Sequence, residues 1–283
     1  MPAPAEGPIR DALERHGLWA KKSLGQHFLL DLNLTRRIAR SAGDLAGQAV
    51  IEVGPGPGGL TRALLEAGAD PLIAIEKDQR FMPLLDELVP GSDGRLRLVN
   101  ADALTIDEPA LLDGARAHIV SNLPYNVATP LLIKWLKAGA WRASMTLMVQ
   151  KEVAQRIVAQ PRTPAYGRLA VIAQARCQVR YGFTVPARAF SPPPKVESAI
   201  VHFAPRDDAY PHPDDLERVT AAAFGQRRKM LRQALAGLAA DAGLDAEALL
   251  ARAAVAPTAR AEEIAPAGFL ALADAVHKLG RNA

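Results

Sequence analysis

A single cysteine, Cys177, stands in a chain of 283 residues, which excludes an internal disulfide and any cysteine-built metal site. The six histidines (16, 27, 118, 202, 212 and 277) show no metal-ligand spacing, so no metal is expected. No apolar run approaches the ~18 residues needed to span a bilayer. The first residues, "MPAPAEGPIRDALERHG", lack the apolar core of a secretion signal. These absences point to a cytoplasmic protein without a membrane. What is present is ordinary for a globular chain: 49% hydrophobic and 23% charged residues. The length suits one large domain, or one large and one small.

Charge is small in sum and uneven in place. The net is +4, yet residues 41–129 carry 6 basic and 13 acidic side chains, while residues 130–206 carry 12 basic and 2 acidic ones. So one-sided a segment is either a polyanion-binding face, where neutralised phosphates release counterions, or a solvated basic surface.

Short apolar runs alternate with helix-like segments from Val50 to Phe203. The expected strands are 50–54, 71–76, 96–102, 117–122 and 144–150, followed by 177–185 and 198–204 with no long helix between these two. Continuous apolar strands separated by helical patterns predict an α/β fold with a parallel sheet covered on both faces. The last two read as a pair closing one edge antiparallel. After "APRDDAYPHP" (204–213) only helical periodicity remains, broken at Gly225 and Gly243. The division expected is 1–205, with an N-terminal extension 1–20, and a small helical domain 206–283.

"EVGPGPGGLT" (52–61) follows the first strand and opens a helix. Gly54, Gly56 and Gly59 satisfy the dinucleotide fingerprint G-x-G-x-x-G, and a tight strand-to-helix turn without a ligand would satisfy it too. Pro55 and Pro57 argue against a pyrophosphate, because neither has the N–H that a phosphate cradle uses. No Lys-Ser/Thr follows the glycines, so the stretch is not a P-loop. Glu76 ends the second strand, where a carboxylate can accept both hydroxyls of a ribose. Asp102 ends the third, where it can accept from an adenine amine. Asp78 reads as a helix N-cap. A glycine loop, a ribose acid and an adenine acid together describe an adenosyl cofactor without phosphates, for which S-adenosyl-L-methionine is the candidate.

The fourth strand runs into "SNLPYNVATP" (121–130). An amide, a proline and a tyrosine are poor core material and good material for gripping a flat, hydrogen-bonding base. The exocyclic amine of adenine is a weak nucleophile, since its lone pair is delocalised into the ring. The Asn122 oxygen and a backbone carbonyl, that of Leu123, could accept its two N–H bonds and favour a pyramidal nitrogen. Pro124 keeps Leu123 extended, and Tyr125 offers a stacking face worth ~1–3 kcal/mol. The chemistry needed is positioning and electrostatics, without an obligatory general base. The base must first leave its stack. A structural turn with a core tyrosine is the alternative.

Asn122-Leu123-Pro124-Tyr125 is similar to the signature of adenine-N6 methyltransferases. The chain from about 18 to 275 resembles the small-subunit ribosomal RNA adenine dimethyltransferase family. The resemblance rests on "KKSLGQHFLLD" (21–31), "IEVGPGPGGLT" (51–61), "IEKD" (75–78), "NADAL" (100–104), "SNLPYNVATPLL" (121–132), "MVQKEVAQRI" (148–157), "YGRLAV" (166–171), "FSPPPKVESAIV" (190–201) and "FGQRRKMLRQAL" (224–235). It implies a Rossmann-like class I S-adenosylmethionine-dependent methyltransferase with a seven-stranded, mostly parallel sheet and a small C-terminal α-helical, RNA-binding domain.

Residue by residue, the resemblance implies that His27 and Leu29 contact the methionine end of the cofactor and that Gly54 approaches it backbone-first. Glu76 would hold the ribose, Asp102 the adenine, and Asn122 both the pocket and the target amine, with Leu123, Pro124 and Tyr125 completing the catalytic turn. Phe190 would supply a second aromatic face, unless it only anchors its loop. "QRRKMLR" (226–232) looks like the family's RNA-facing helix, with Arg227, Arg228, Lys229 and Arg232 as candidates, or else a solvated face. Lys21 and Lys22 are further candidates for RNA phosphates. The implied reaction is N6,N6-dimethylation of two neighbouring adenosines near the 3′ end of 16S rRNA, within the immature small ribosomal subunit, by a monomer. The rival readings are a macrolide-resistance methyltransferase of large-subunit rRNA, a mitochondrial transcription-factor relative, a nicotinamide-dependent dehydrogenase, and an assembly factor whose binding matters more than its chemistry.

Overall fold

A computed structural model describes residues 9–20 and 26–280. Its strands are β1 (Phe28–Leu29), β2 (Ala49–Val53), β3 (Leu72–Glu76), β4 (Leu96–Asn100), β5 (Ala117–Asn122), β6 (Arg142–Gln150), β7 (Cys177–Val185), β8 (Phe190–Ser191) and β9 (Ser198–Pro205). The α-helices are α1 (Ile9–Arg15), α2 (Leu32–Ser41), α3 (Gly59–Glu66), α4 (Met82–Asp86), α5 (Tyr125–Lys137) and α6 (Lys151–Val158), then α7 (Arg168–Arg176), α8 (Pro213–Gly225), α9 (Leu231–Ala234), α10 (Ala236–Asp241), α11 (Ala246–Arg252) and α12 (Pro266–Gly280).

Continuous apolar runs become the centre of the sheet. Every residue of β2 and β3 is buried, as strands covered on both faces require. The seven-stranded sheet has the order β4-β3-β2-β5-β6-β9-β7. Strands β2 to β6 are parallel to their neighbours, and β9 is antiparallel to β6. The chain steps outward from β2 to β4 and then returns to β5 on the other side of β2. That reversal opens a crevice at the carboxyl ends of β2 and β5. The fold class expected from sequence is therefore the one observed.

Two elements had no sequence signal. β1 and β8 form a separate antiparallel pair, Phe28 opposite Ser191 and Leu29 opposite Phe190. Two-residue strands are too short to show alternation.

The described residues divide into two compact units, one from Met1–Ala154 and Arg180–Ala204, the other from Gln155–Val179 and Pro205–Ala283. The last of the three crossings between them falls between Ala204 and Pro205. Residues 155–179, expected with the sheet, group instead with the helices. In sequence this stretch looks like one more helical crossover; in three dimensions Tyr166, Ala170 and Val171 join Leu216, Leu235 and Phe269 in the helical core. The sheet unit has its own core, including Ile38, Leu64, Leu72, Phe81 and Val120.

The basic stretch 226–229 is a turn and not a helix. α8 ends at Gly225, Lys229 N–H returns to the Gln226 carbonyl at 2.8 Å, and Met230 bridges to Arg260 before α9 begins. Among the described residues, no helix is long and apolar enough to cross a membrane.

Candidate active site

The glycine loop between β2 and α3 turns on left-handed backbone. Gly54, Gly56 and Gly58 have φ of 68°, 53° and 79°, a region that side chains other than glycine enter at a cost. A Cβ at Gly54 would also stand 3.4 Å from the Pro124 ring, so the loop and the Asn122–Tyr125 turn touch through a missing side chain. The N–H groups of the loop are turned inward. Gly54 donates to the Ile75 carbonyl (2.9 Å), Gly56 to Glu76 Oε2 (3.1 Å) and Gly58 to the Pro55 carbonyl (3.0 Å). With two prolines between them, the loop offers no cradle for phosphate.

Carboxyl groups dominate the wall beside it. Glu76, at the end of β3, accepts from Gly56 N–H and, through Oε1, from Asp78 N–H at 2.7 Å. A carboxylate has about four acceptor positions, which leaves room for two hydroxyl donors. Burial pushes the Glu76 carboxyl above its ordinary pKa, against the pull of those N–H groups. Asp102 lies two residues beyond the end of β4, not within the strand as expected. It accepts from Lys77 Nζ at 2.7 Å and from Leu104 N–H at 3.0 Å. The Lys77 bond, then that of Leu104, holds Asp102 below the usual carboxylate range. Asp78 caps the short helical turn 79–81 through Arg80 N–H. Glu52 on β2 is fully buried, receives the Thr61 hydroxyl at 2.7 Å and is pushed by burial to a pKa of about 8. A phosphate placed here would face four carboxyl groups, those of Glu52, Glu76, Asp78 and Asp102. A ribose, an adenine and a cation would not be repelled.

The Asn122 turn stands opposite. The Ser121 hydroxyl donates to the Val53 carbonyl at 2.5 Å, fastening β5 to the root of the glycine loop. The Asn122 side chain makes no hydrogen bond to any described residue and faces the cavity. Pro124, at φ −56° and ψ 131°, sets the chain entering α5, whose first residue is Tyr125. The Tyr125 hydroxyl is paired with Ser198 Oγ at 2.7 Å, which fixes the ring. His27 lies tilted against that ring with centroids 5.8 Å apart. Phe190 on β8 belongs to the sheet unit's core and also lines the cavity.

One cavity of about 460 Å³ is lined by His27, Leu29, Gly54, Glu76, Asp102, Asn122, Leu123, Pro124, Tyr125 and Phe190, every cofactor and catalytic candidate from the sequence. A model of the family described as ribosomal RNA adenine dimethylase matches residues 17–278. The chain belongs to that family. A relative from Phenylobacterium zucineum called ribosomal RNA small subunit methyltransferase A is 63% identical over 271 residues, covering 94% of this chain and 92% of its own. One of the same name from Azorhizobium caulinodans is 56% identical, covering 95% and 92%. Among solved structures, a dimethyladenosine transferase from Plasmodium falciparum shares the fold, with a TM-score of 0.75, 23% identity and coverage of 90% and 98%. The 23S rRNA methyltransferase ErmE gives 0.64 at 27% identity, covering 88% of this chain and 99% of its own.

The RNA-binding candidates of this adenine dimethylase chain are placed less evenly. Lys21 and Lys22 lie outside the described residues. Arg227 is engaged by Glu262 at 3.0 Å and donates to the Pro164 carbonyl at 2.9 Å. Arg232 stands 3.8 Å from Glu247. Arg228 and Lys229 are exposed. The 130–206 stretch is not a uniform basic face either: Arg142 is buried, and Lys134 points at the buried Glu108. Sequence reasoning missed Glu52, Ser198 and the Lys77 partner of Asp102. Glu52 carried a signal, an acid inside an otherwise apolar strand. Ser198 carried none, since only the sheet brings it to Tyr125.

Proposed function

We propose that the protein transfers methyl groups from S-adenosyl-L-methionine to N6 of two adjacent adenosines near the 3′ end of 16S rRNA, acting as a cytoplasmic monomer on the immature small ribosomal subunit. The observation that carries this reading is the close approach of Gly54 to Pro124: the glycine loop and the Asn122–Tyr125 turn line one cavity. The 54–63% identity to proteins called ribosomal RNA small subunit methyltransferase A supports the choice of RNA.

When bound, S-adenosyl-L-methionine supplies an electrophilic methyl group. Glu76 accepts the ribose hydroxyls, Asp102 accepts from the cofactor's adenine amine, and His27 and Leu29 border its methionine end. The target adenine leaves its stack and lies between Tyr125 and Phe190. The Asn122 oxygen and the Leu123 carbonyl accept the two N–H bonds of N6, which favours a pyramidal nitrogen whose lone pair is withdrawn from the ring and aimed at the methyl group. No side chain is required as a general base, because the amine sheds its proton to water. After the first methylation one N–H remains to hold one acceptor, and the second round uses the same turn.

The large-subunit reading has the ErmE likeness behind it, at 27% identity, far below that of the small-subunit relatives. Mass spectrometry of nucleosides after incubation with S-adenosylmethionine and unmethylated small subunits, beside large-subunit RNA, separates the two. Dimethyladenosine in the small-subunit RNA alone is the expected result. Methylation confined to large-subunit RNA would overturn it, and methylation of neither would leave an assembly factor.

A further inference from the structure

Lys134 is nine residues beyond Tyr125 on α5, roughly two and a half turns along the same helix. Its side chain is 28% exposed, yet its ammonium is turned to three acceptors of the protein itself. Nζ donates to the Ala103 carbonyl at 2.8 Å, to the Ile106 carbonyl at 2.6 Å and to Glu108 Oε1 at 2.9 Å. Three donors are all that an ammonium has. Glu108 is 2% exposed and also accepts from the indole Nε1–H of the fully buried Trp135 at 2.8 Å. An acid so held cannot swing, and it fixes the ammonium in turn.

The two carbonyls belong to the turn that presents Asp102. The N–H groups of Thr105 and Ile106 close on the Asp102 carbonyl at 3.0 and 3.1 Å, and Leu104 N–H closes on its carboxylate. Ala103 and Leu104 line the cavity with Asp102. The turn has no long helix of its own to hold it, only the three-residue helical turn Pro109–Leu111 further on. The carbonyls of Ala103 and Ile106 tie it to α5 through the Lys134 ammonium, beside the Trp135 bond to Glu108 and the Lys77 bond to Asp102.

We infer that Lys134 is a positioning residue, one that hangs the turn carrying the adenine-binding acid from the helix that begins at the catalytic tyrosine. The inference rests on the assignment of Asp102 to the cofactor's adenine. Lys134 touches neither substrate, and Glu108 and Trp135 hold it in place. The cofactor's adenine and the target adenine are then referenced to one rigid element, α5.

Removing Lys134 alone would strand a buried carboxylate, a strongly destabilising change. The informative pair is therefore Glu108→Gln, which keeps an acceptor for both Lys134 and Trp135, and the double variant Lys134→Met with Glu108→Gln, which loses the two bonds to the turn without leaving a buried charge. Binding of adenosine and of S-adenosylhomocysteine by calorimetry is the readout, with kcat at saturating cofactor and KM for small subunits measured beside it. Glu108→Gln is expected to bind adenosine nearly as the unaltered protein does. The double variant is expected to bind it about tenfold more weakly, the scale of lost charge-assisted hydrogen bonds, with kcat and the subunit KM within about twofold of their starting values. Asp102→Ala serves as the reference. If it weakens adenosine binding and the double variant does not, Lys134 has no positioning role. If the double variant loses cofactor and subunit affinity by the same factor, its defect is general and the inference fails. If Asp102→Ala and the double variant both bind adenosine normally, the cofactor assignment falls together with the inference built on it.

Discussion

His27 Nδ1 lies 2.8 Å from the Pro192 carbonyl oxygen, joining two points 165 residues apart. A carbonyl can only accept, so Nδ1 carries the proton of this bond. The bond extends the β1–β8 pairing by one more link, next to Phe28 opposite Ser191. Leu29, proposed to border the cofactor, and Phe190, proposed to face the target base, thus ride on the same two-stranded ribbon. Replacing His27 by Ala should lower stability by about 1 kcal/mol, the worth of one such bond. It should also raise the KM for both cofactor and RNA, since the ribbon carries a residue for each. Urea unfolding and steady-state kinetics check this; a change in the cofactor KM alone would show that β8 is held without His27.

Asn122 should behave differently. Its side chain has no hydrogen bond to any described residue, so its removal leaves nothing unpaired in the protein. Asn122→Ala is expected to keep the fold and to lower kcat by about 10²-fold or more, the scale for losing one aimed polar group in the transition state. Cofactor affinity should fall only a few-fold. Single-turnover rates with saturating cofactor, beside direct cofactor titration, make the test. A kcat within a few-fold of the original would remove Asn122 from the chemistry.

The sheet, the glycine loop and the Asn122 turn were legible because their signals are local. Apolar runs such as Leu72–Ile75 are buried end to end, and Pro55 and Pro57 reveal a donor-poor loop without any coordinates. Reading the loop's N–H groups as unusable for phosphate agrees with where those groups point. What was not legible depends on long-range pairing. Ser198 meets Tyr125 across 73 residues, and β1 pairs with the distant β8, Phe28 opposite Ser191. Charge counting failed at Lys134 for a related reason: a lysine in a basic stretch looks the same whether it faces water or the buried Glu108. The turn at 226–229 was misread as helix because Arg and Lys favour helices, while Gly225 ends α8 just before them.

Glu52 makes a pH prediction. Its carboxyl is raised from an ordinary 4.5 to about 8, chiefly by burial, with the Thr61 hydrogen bond opposing and the nearby Glu76 charge adding to the rise. Between those two values the folded chain keeps a proton that the unfolded chain releases. Stability from this group is therefore full below pH 4.5 and is lost progressively as pH climbs toward 8. The slope is at most about 1.4 kcal/mol per pH unit. Glu52→Gln has no proton to lose, so its stability relative to the unaltered protein should grow across this window. Urea denaturation of both at pH 5, 6, 7 and 8 reads the difference directly. Parallel profiles would mean that Glu52 is ionised in the fold.

Arg227, Arg228 and Lys229 occupy one turn but should not act alike. Arg227 is tied to Glu262 and to the Pro164 carbonyl, so it holds the turn to the rest of the helical unit. Arg228 and Lys229 are exposed, and no hydrogen bond or ion pair joins their side chains to another described residue. Each of these two charges that meets an RNA phosphate contributes a counterion, and binding weakens with salt by about 0.7–0.9 logarithmic units per contact. Neutralising both, as Arg228→Gln with Lys229→Gln, should weaken binding to small subunits at low salt and make the plot of log affinity against log salt shallower by about 1.5. Stability should stay within about 0.5 kcal/mol, as for other exposed surface changes. Arg227→Gln should show the reverse pattern, a measurable loss of stability with the salt slope nearly intact. Titrations at several salt concentrations together with thermal melts decide between the two roles. An unchanged slope in the Arg228 and Lys229 double variant would take the RNA away from this turn, and a slope lowered equally by Arg227→Gln would mean that its pair with Glu262 opens when RNA binds.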